Sequence, residues 1–178
     1  MFSAFTSLSL LLLVQVQVQD VRAEKGIIGF GRTIYPDLCC LSCYYSLSSL
    51  YLSCTTFPDM SGMDMDMESM MSMGTTSDEC RTSNTPWLES MAYCIDQACA
   101  ADGYSLEEKE QCFSKHAVAG ASVPTFRESL PDTDPTVELP EHVMWLNVTS
   151  RVNKHTYHVT YGTMGVFRSM EYAHTRYS

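Results

Sequence analysis

Seven methionines fall between Met60 and Met73, interleaved with acids in the run Met-Ser-Gly-Met-Asp-Met-Asp-Met-Glu-Ser-Met-Met-Ser-Met. Packing such a run would bury a charge at nearly every second position, so the segment reads as an exposed loop. Thioethers are soft donors that favour Cu(I). Met63, Met65, Met67, Met70, Met71 and Met73 are therefore the candidate Cu(I) ligands, with Asp64, Asp66 and Glu68 raising the local cation concentration. The same residues also read as a solvated low-complexity insert that needs no metal.

Other reactive residues point less sharply. His155-x2-His158 has metal-like spacing on a helix, but no third histidine or carboxylate lies close in sequence, so surface histidine is the better reading. Eight cysteines, Cys39, Cys40, Cys43, Cys54, Cys80, Cys94, Cys99 and Cys112, give the even count expected of disulfides in an exported chain. Cys40-x2-Cys43 is the one zinc-like pair and has no matching partner pair. Eight cysteines allow about 105 connectivities, so the pairing is open. No Gly-x-Ser-x-Gly elbow supports a hydrolase. The glycines of Gly26–Gly31 are too short a run for a phosphate loop. Asn147-Val148-Thr149 is a glycosylation sequon and requires a surface position for Asn147.

These residues need elements to hold them. Leu8–Val14 form a short apolar core and Val21-Arg22-Ala23 a small-residue cleavage site, so residues 1–23 read as an export signal. Residues 24–140 read as a cysteine-rich extracellular domain with its Met-rich acidic loop at 55–79, and 141–178 as a glycosylated linker and C-terminal helix. Three core helices are expected. The first follows Pro36 and carries Leu38, Cys39, Cys43, Leu47, Leu50 and Cys54. The second opens at an Asn84 or Thr85 cap with Pro86 in its first turn and a stripe of Leu88, Met91, Ile95 and Ala98. Ser105 with Glu108 forms a capping box for the third, which ends near Gly120.

From Val123 to Pro140, prolines and acids give an extended segment around one helical turn at Thr125–Leu130. A separate amphipathic helix runs from Tyr157, with Val159, Val166, Phe167, Met170, Ala173 and Tyr177 on one side. Its tyrosines, Tyr157, Tyr161, Tyr172 and Tyr177, suit either a membrane interface or packing on the cysteine domain. The fold class is mainly α: a small, disulfide-stapled, loop-rich helical domain.

Charge narrows the partners. The net charge of −10 excludes a nucleic-acid surface. Residues 59–141 carry 17 Asp/Glu against four Lys/Arg, and 151–178 carry four Lys/Arg against one Glu. An acidic body fits metal cations, copper or iron species, as well as it fits a plain solvated face. After the export signal no run of roughly 18 apolar residues follows, so no spanning helix is expected.

The order of features resembles the N-terminal extracellular domain of fungal ferric-chelate reductases, plasma-membrane flavohaem proteins of the ferric reductase-like transmembrane group. It runs from Gly26-Ile27-Ile28-Gly29-Phe30-Gly31 and Tyr35-Pro36 through Cys39-x3-Cys43, Cys54, the Met-rich insert and Thr75-Thr76-Ser77-Asp78-Glu79-Cys80. Asn84-Thr85-Pro86-Trp87-Leu88 follows, then Met91-Ala92-Tyr93-Cys94-Ile95 with Cys99, the most specific piece. Pro124-Thr125-Phe126 through Leu130-Pro131, Leu146-Asn147-Val148-Thr149, Phe167, Glu171 and His174-Thr175-Arg176-Tyr177 close it. Cys40 and Cys112 stand outside that family's six-cysteine pattern, which leaves a fourth bridge between them open.

The resemblance implies that a full-length relative passes electrons from NADPH through FAD and haem to Fe(III) or Cu(II), using a membrane domain that would begin after this chain. His174 matches a family position but reads as structural. No catalytic or cofactor-binding residue transfers to this sequence, and possible Cu(I) is the one cofactor read from the chain itself. Localisation is expected to be secreted or at the outer face of the plasma membrane. A free-standing secreted cysteine-rich protein that binds copper or a surface partner is the alternative.

Overall fold

The computed structural model describes residues 37–58 and 74–177, with side chains as far as Met170. The export signal, Gly26–Gly31, Pro36 and the methionines at 60–73 lie outside the described residues.

Helix α1, Leu38–Leu47, is the axle of the domain. Leu38, Cys39, Cys40, Cys43 and Leu47 are all buried. Ser42 and Ser46 are buried with them, and each returns its hydroxyl to the backbone four residues earlier: Ser42 Oγ donates to Leu38 O and Ser46 Oγ to Ser42 O, both at 2.7 Å. The helix is shorter than its apolar spacing predicts. Beyond Leu47 the chain turns, closed by Leu50 N donating to Leu47 O at 3.0 Å, and Tyr51 N then donates to Met144 O at 2.7 Å while Leu146 N donates to Tyr51 O at 2.8 Å. Leu50 and Leu52 are buried on either side of this isolated Tyr51–Trp145 bridge, so long-range backbone bonds override the local helical pattern here.

Helix α2, Asp78–Ser83, begins inside the stretch expected to be loop, because Ser77 caps it by accepting from Cys80 N at 3.2 Å. Helix α3, Thr85–Cys94, starts as its sequence predicts: Asn84 Oδ1 accepts from Trp87 N at 2.9 Å and proline occupies the first turn. It runs directly into a π-helical turn, Ile95–Cys99. Helix α4, Leu106–His116, opens on the Ser105/Glu108 capping box. Trp87 is fully buried at the centre, where Nε1 donates to Ala117 O at 3.0 Å and the ring meets Tyr44 edge-on.

Thr125–Leu130 forms a single turn, fixed by Glu128 Oε2 accepting from Thr125 N at 2.9 Å and Thr125 Oγ1 at 2.8 Å. Two strands follow that no periodicity announces. β1, Val137–Glu138, pairs in parallel with β2, Ser150–Arg151, in the register Val137 to Ser150. Helix α5, Lys154–Tyr177, starts one turn earlier than expected, because Asn153 Oδ1 accepts from His155 N at 2.9 Å and Thr156 N at 3.2 Å. It lies along α1, and Gly162 and Gly165 do not break it.

Four disulfides staple the helices: Cys39–Cys99, Cys40–Cys112, Cys43–Cys94 and Cys54–Cys80. The first and third explain the π turn. Cys39 and Cys43 are four residues apart and share a face of α1. Cys94 and Cys99 are five apart, and in a regular α-helix would diverge by about 140°. The wider i→i+5 turn brings them back onto one side, so both can reach α1. Cys40–Cys112 adds α4 beside the Cys39–Cys99 bridge, with the sulfurs of Cys40, Cys99 and Cys112 within 4.8 Å of one another, giving a mainly helical domain stapled around α1.

Candidate functional site

The neck of the Met-rich segment is built in detail. The chain leaves the described residues after Pro58 and returns at Gly74. Below these points Thr56 N donates to Thr75 O at 3.0 Å, and Thr75 N to Thr56 O at 2.8 Å. The hydroxyls of Thr55 and Thr76 bond at 2.7 Å, and Cys54–Cys80 locks the pair covalently. Tyr51, Phe57 and Trp145 form an aromatic cluster over the neck, with ring centroids 5.1 to 5.8 Å apart. Gly74 fits beneath it because a side chain would not: a Cβ would stand 2.7 Å from both the Phe57 and Tyr51 rings. The described residues that flank the Met-rich run, Thr55–Phe57 on one side and Gly74–Thr76 on the other, are thus pinned together. Met63, Met65, Met67, Met70, Met71 and Met73 themselves lie outside the described residues.

A second candidate is a cleft of about 510 Å³ beside the π turn. Gln97 and Ala98 line it from that turn, Arg151 from β2, and Tyr157 and His158 from the first turns of α5. Tyr157 and Tyr161 lie between α5 and the domain, so for these two the packing reading of the tyrosines holds. Burial pushes both phenols above their ordinary range, and the Asp102 charge adds to it. Tyr161 donates to the Asp102 carboxylate. The Tyr157 hydroxyl is shielded and without a hydrogen-bond partner among the described residues. Both phenols stay protonated at physiological pH and offer no base.

His155 and His158 are exposed on α5, where His158 packs against Tyr157 at 5.7 Å between ring centroids. Among the described residues the one convergence of possible metal ligands is Cys40, Cys99 and Cys112, all three already consumed in disulfides. No free cysteine remains among them. Asn147 is exposed, as its sequon requires, while Thr149 Oγ1 donates to Glu89 Oε2. His174 lies in the part of α5 described by backbone alone.

A charged knot was not anticipated from sequence. Asp37, at the start of α1, pairs with Lys115 at the end of α4, and His116 Nε2 stands 3.7 Å away, beyond hydrogen-bond reach. Burial would raise the Asp37 pKa, but the hydrogen bond and charge of Lys115, with His116 and Arg168 of α5, hold it below the usual carboxylate value. Burial pushes His116 below its ordinary value against the opposing pull of Asp37. Opposite charges on neighbouring helices are the signal for such a knot, but it appears only once the bridges fix which ends meet.

No family model matches this sequence, no curated protein matches it, and no solved structure matches it. Fold and site together define the class as a mainly helical domain held by four disulfides. No helix among the described residues is long and apolar enough to cross a membrane.

Proposed function

We propose that this chain is an extracellular metal-gathering domain that captures Cu(I) on the Met-rich segment, of the kind found at the outer end of ferric- and cupric-chelate reductases. The observation that carries the reading is the pinned neck. The segments flanking this thioether-rich, acidic run are held together by a disulfide, paired backbone and an aromatic cluster, so gathering several sulfurs onto one ion would cost less chain entropy than from an open chain. The four disulfides support an oxidising, extracellular setting. The acids concentrate cations, and the thioethers select the soft ion over Fe(III). The resemblance in motif order adds the link to iron and copper uptake, and the exposed Asn147 would carry a glycan. The role is capture and presentation of the ion, and electron transfer belongs to the flavohaem machinery of the family.

Competition against a chromogenic Cu(I) chelator tests this. The parent should withdraw Cu(I), and the variant with all six candidate methionines changed to Leu should not. Affinity should hold as pH falls towards about 5, because thioethers do not titrate whereas imidazole protonates near 6.5. Equal affinity in the Leu variant would eliminate the thioether site.

A further inference from the structure

The sequon Asn147-Val148-Thr149 sits between two anchored points. Before it, Leu146 is fully buried and its N–H donates to Tyr51 O at 2.8 Å. After it, Ser150 is buried too, and its N–H donates to the buried Ser90 Oγ of α3 at 2.9 Å. Ser150 also opens β2, where it stands opposite Val137 of β1. Asn147 and Val148 are exposed between these points, whereas Thr149 is half-buried and its hydroxyl donates to Glu89 Oε2 on α3.

Those contacts matter because the sequon is defined by two groups. The Asn amide receives the sugar, and the need for Ser or Thr two residues on means that the hydroxyl is read as well. In the transfer, the Asn147 amide nitrogen bonds to C1 of the first sugar of a lipid-diphosphate oligosaccharide. The C1–O bond to phosphate breaks, the lipid diphosphate leaves with the electron pair, and one amide proton is released. In the fold the amide is on offer and the hydroxyl is not. Three residues between two fixed points leave little slack, so turning Thr149 outward requires Leu146 or Ser150 to leave its place.

We propose that Asn147 accepts a glycan only before residues 146–151 close on α3, and that the Thr149–Glu89 hydrogen bond is the latch that ends acceptance. This rests on the reading of Asn147 as a glycan carrier and is independent of the copper reading. Tyr51, Glu89, Ser90 and Val137 all precede the sequon, so every partner is already synthesised when it emerges. The time available is set by the placing of α3, whose last residue is tied to α1 by Cys43–Cys94. Because Asn147 is exposed, a glycan attached in time lies outside the fold and does not oppose closure. A chain that closes first stays without it.

Transfer by a microsomal oligosaccharyltransferase, supplied with its lipid-linked donor, tests this on the full chain made without glycan. The chain reduced and carboxymethylated should accept the oligosaccharide, seen as a mass increase that Asn147→Gln abolishes. The oxidised chain should accept it at least about tenfold more slowly, since it reaches the acceptor state only by local opening. Oxidised Glu89→Ala should regain a measurable part of that rate, with its far-UV spectrum unchanged and every thiol bridged. Glu89→Gln, whose amide oxygen still accepts from Thr149, should stay as slow as the parent. An oxidised parent modified as fast as the reduced chain would overturn the closure. A native-like Glu89→Ala no faster than the parent, or a Glu89→Gln as fast as Glu89→Ala, would overturn the latch. Refusal of the reduced chain would instead remove Asn147 as an acceptor, and the proposal with it.

Discussion

The stapled core and the C-terminal helix solve the same problem by different means. The core ties α1 to the end of α3, the π turn and α4 through three bridges, and buries Cys39, Cys43, Leu47, Trp87, Met91 and Ile95 almost completely. Helix α5 has no cysteine; it lies along the same α1, with Tyr157 packed against the core, Gly165 buried and the Arg168 charge acting on Asp37. A small domain with a modest apolar core gains its rigidity from covalent bonds that restrict the unfolded chain. The helix outside that cage remains dependent on contacts that pH and salt can alter.

Breaking the cage should have the largest effect. Replacing Cys43 and Cys94 together with Ala should lower unfolding free energy by about 2–5 kcal/mol, measured by urea denaturation. The same bridge holds the π turn in register, so amide exchange should accelerate first at 95–99. The neck comes next. Gly74→Ala forces a methyl into the Tyr51 and Phe57 rings and should cost about 1–3 kcal/mol. The added strain should loosen the Thr56–Thr75 pairing while leaving α3 and α4 protected in exchange experiments.

Acidification probes the junction between the two regions. His116 is held below 6.5 in the fold, so its contribution is complete above about pH 6.5 and is lost as pH falls through the folded value. Asp37 is also depressed, so its contribution is present above 3.8 and disappears below that, through its own folded value. Both losses run in the acid direction. His116→Gln should flatten the fall in Tm just below pH 6.5 and leave the steeper fall below pH 4. A variant whose profile overlays the parent's would show that His116 titrates freely.

The smallest change is expected at Tyr157. Its hydroxyl is shielded and unpartnered, so Tyr157→Phe should be neutral or stabilise by up to about 1 kcal/mol in thermal unfolding. A clear loss of stability would mean that the hydroxyl has a partner, and that α5 is anchored more firmly than its packing indicates.

Local signals were the ones that could be read from the sequence. Asn84 with Pro86, and Ser105 with Glu108, announce α3 and α4 because capping uses neighbours in sequence. The even cysteine count announces a bridged domain, but the pairing depends on which helix faces align. The mismatch between Cys39-x3-Cys43 and Cys94-x4-Cys99 held the clue to the π turn, and only the pairing gives it meaning. The end of α1 was hidden because Leu50 and Cys54 continue its spacing, whereas Tyr51 bonds to Met144 and Leu146, far along the chain. On α5 the periodicity gave the stripe but not its direction: Val159, Val166, Phe167 and Met170 are exposed, since an apolar face signals burial only where something covers it. The neck was divided among Tyr51, Phe57, Gly74 and Trp145, whose distance in sequence hides their contact. The methionines, by contrast, were legible as candidate chemistry from composition alone, and their placement lies outside the described residues.

X-ray absorption at the copper edge of the Cu(I)-loaded protein bears most directly on that chemistry. A first shell of sulfur scatterers, the same at neutral pH and at about pH 5, is the expected result, because thioethers keep their lone pairs across that range while imidazole does not. Fully bridged cysteines must be verified on the same sample by thiol titration, so that the sulfur can be assigned to methionine. A nitrogen or oxygen shell, or copper released on acidification, would contradict capture by the Met-rich segment.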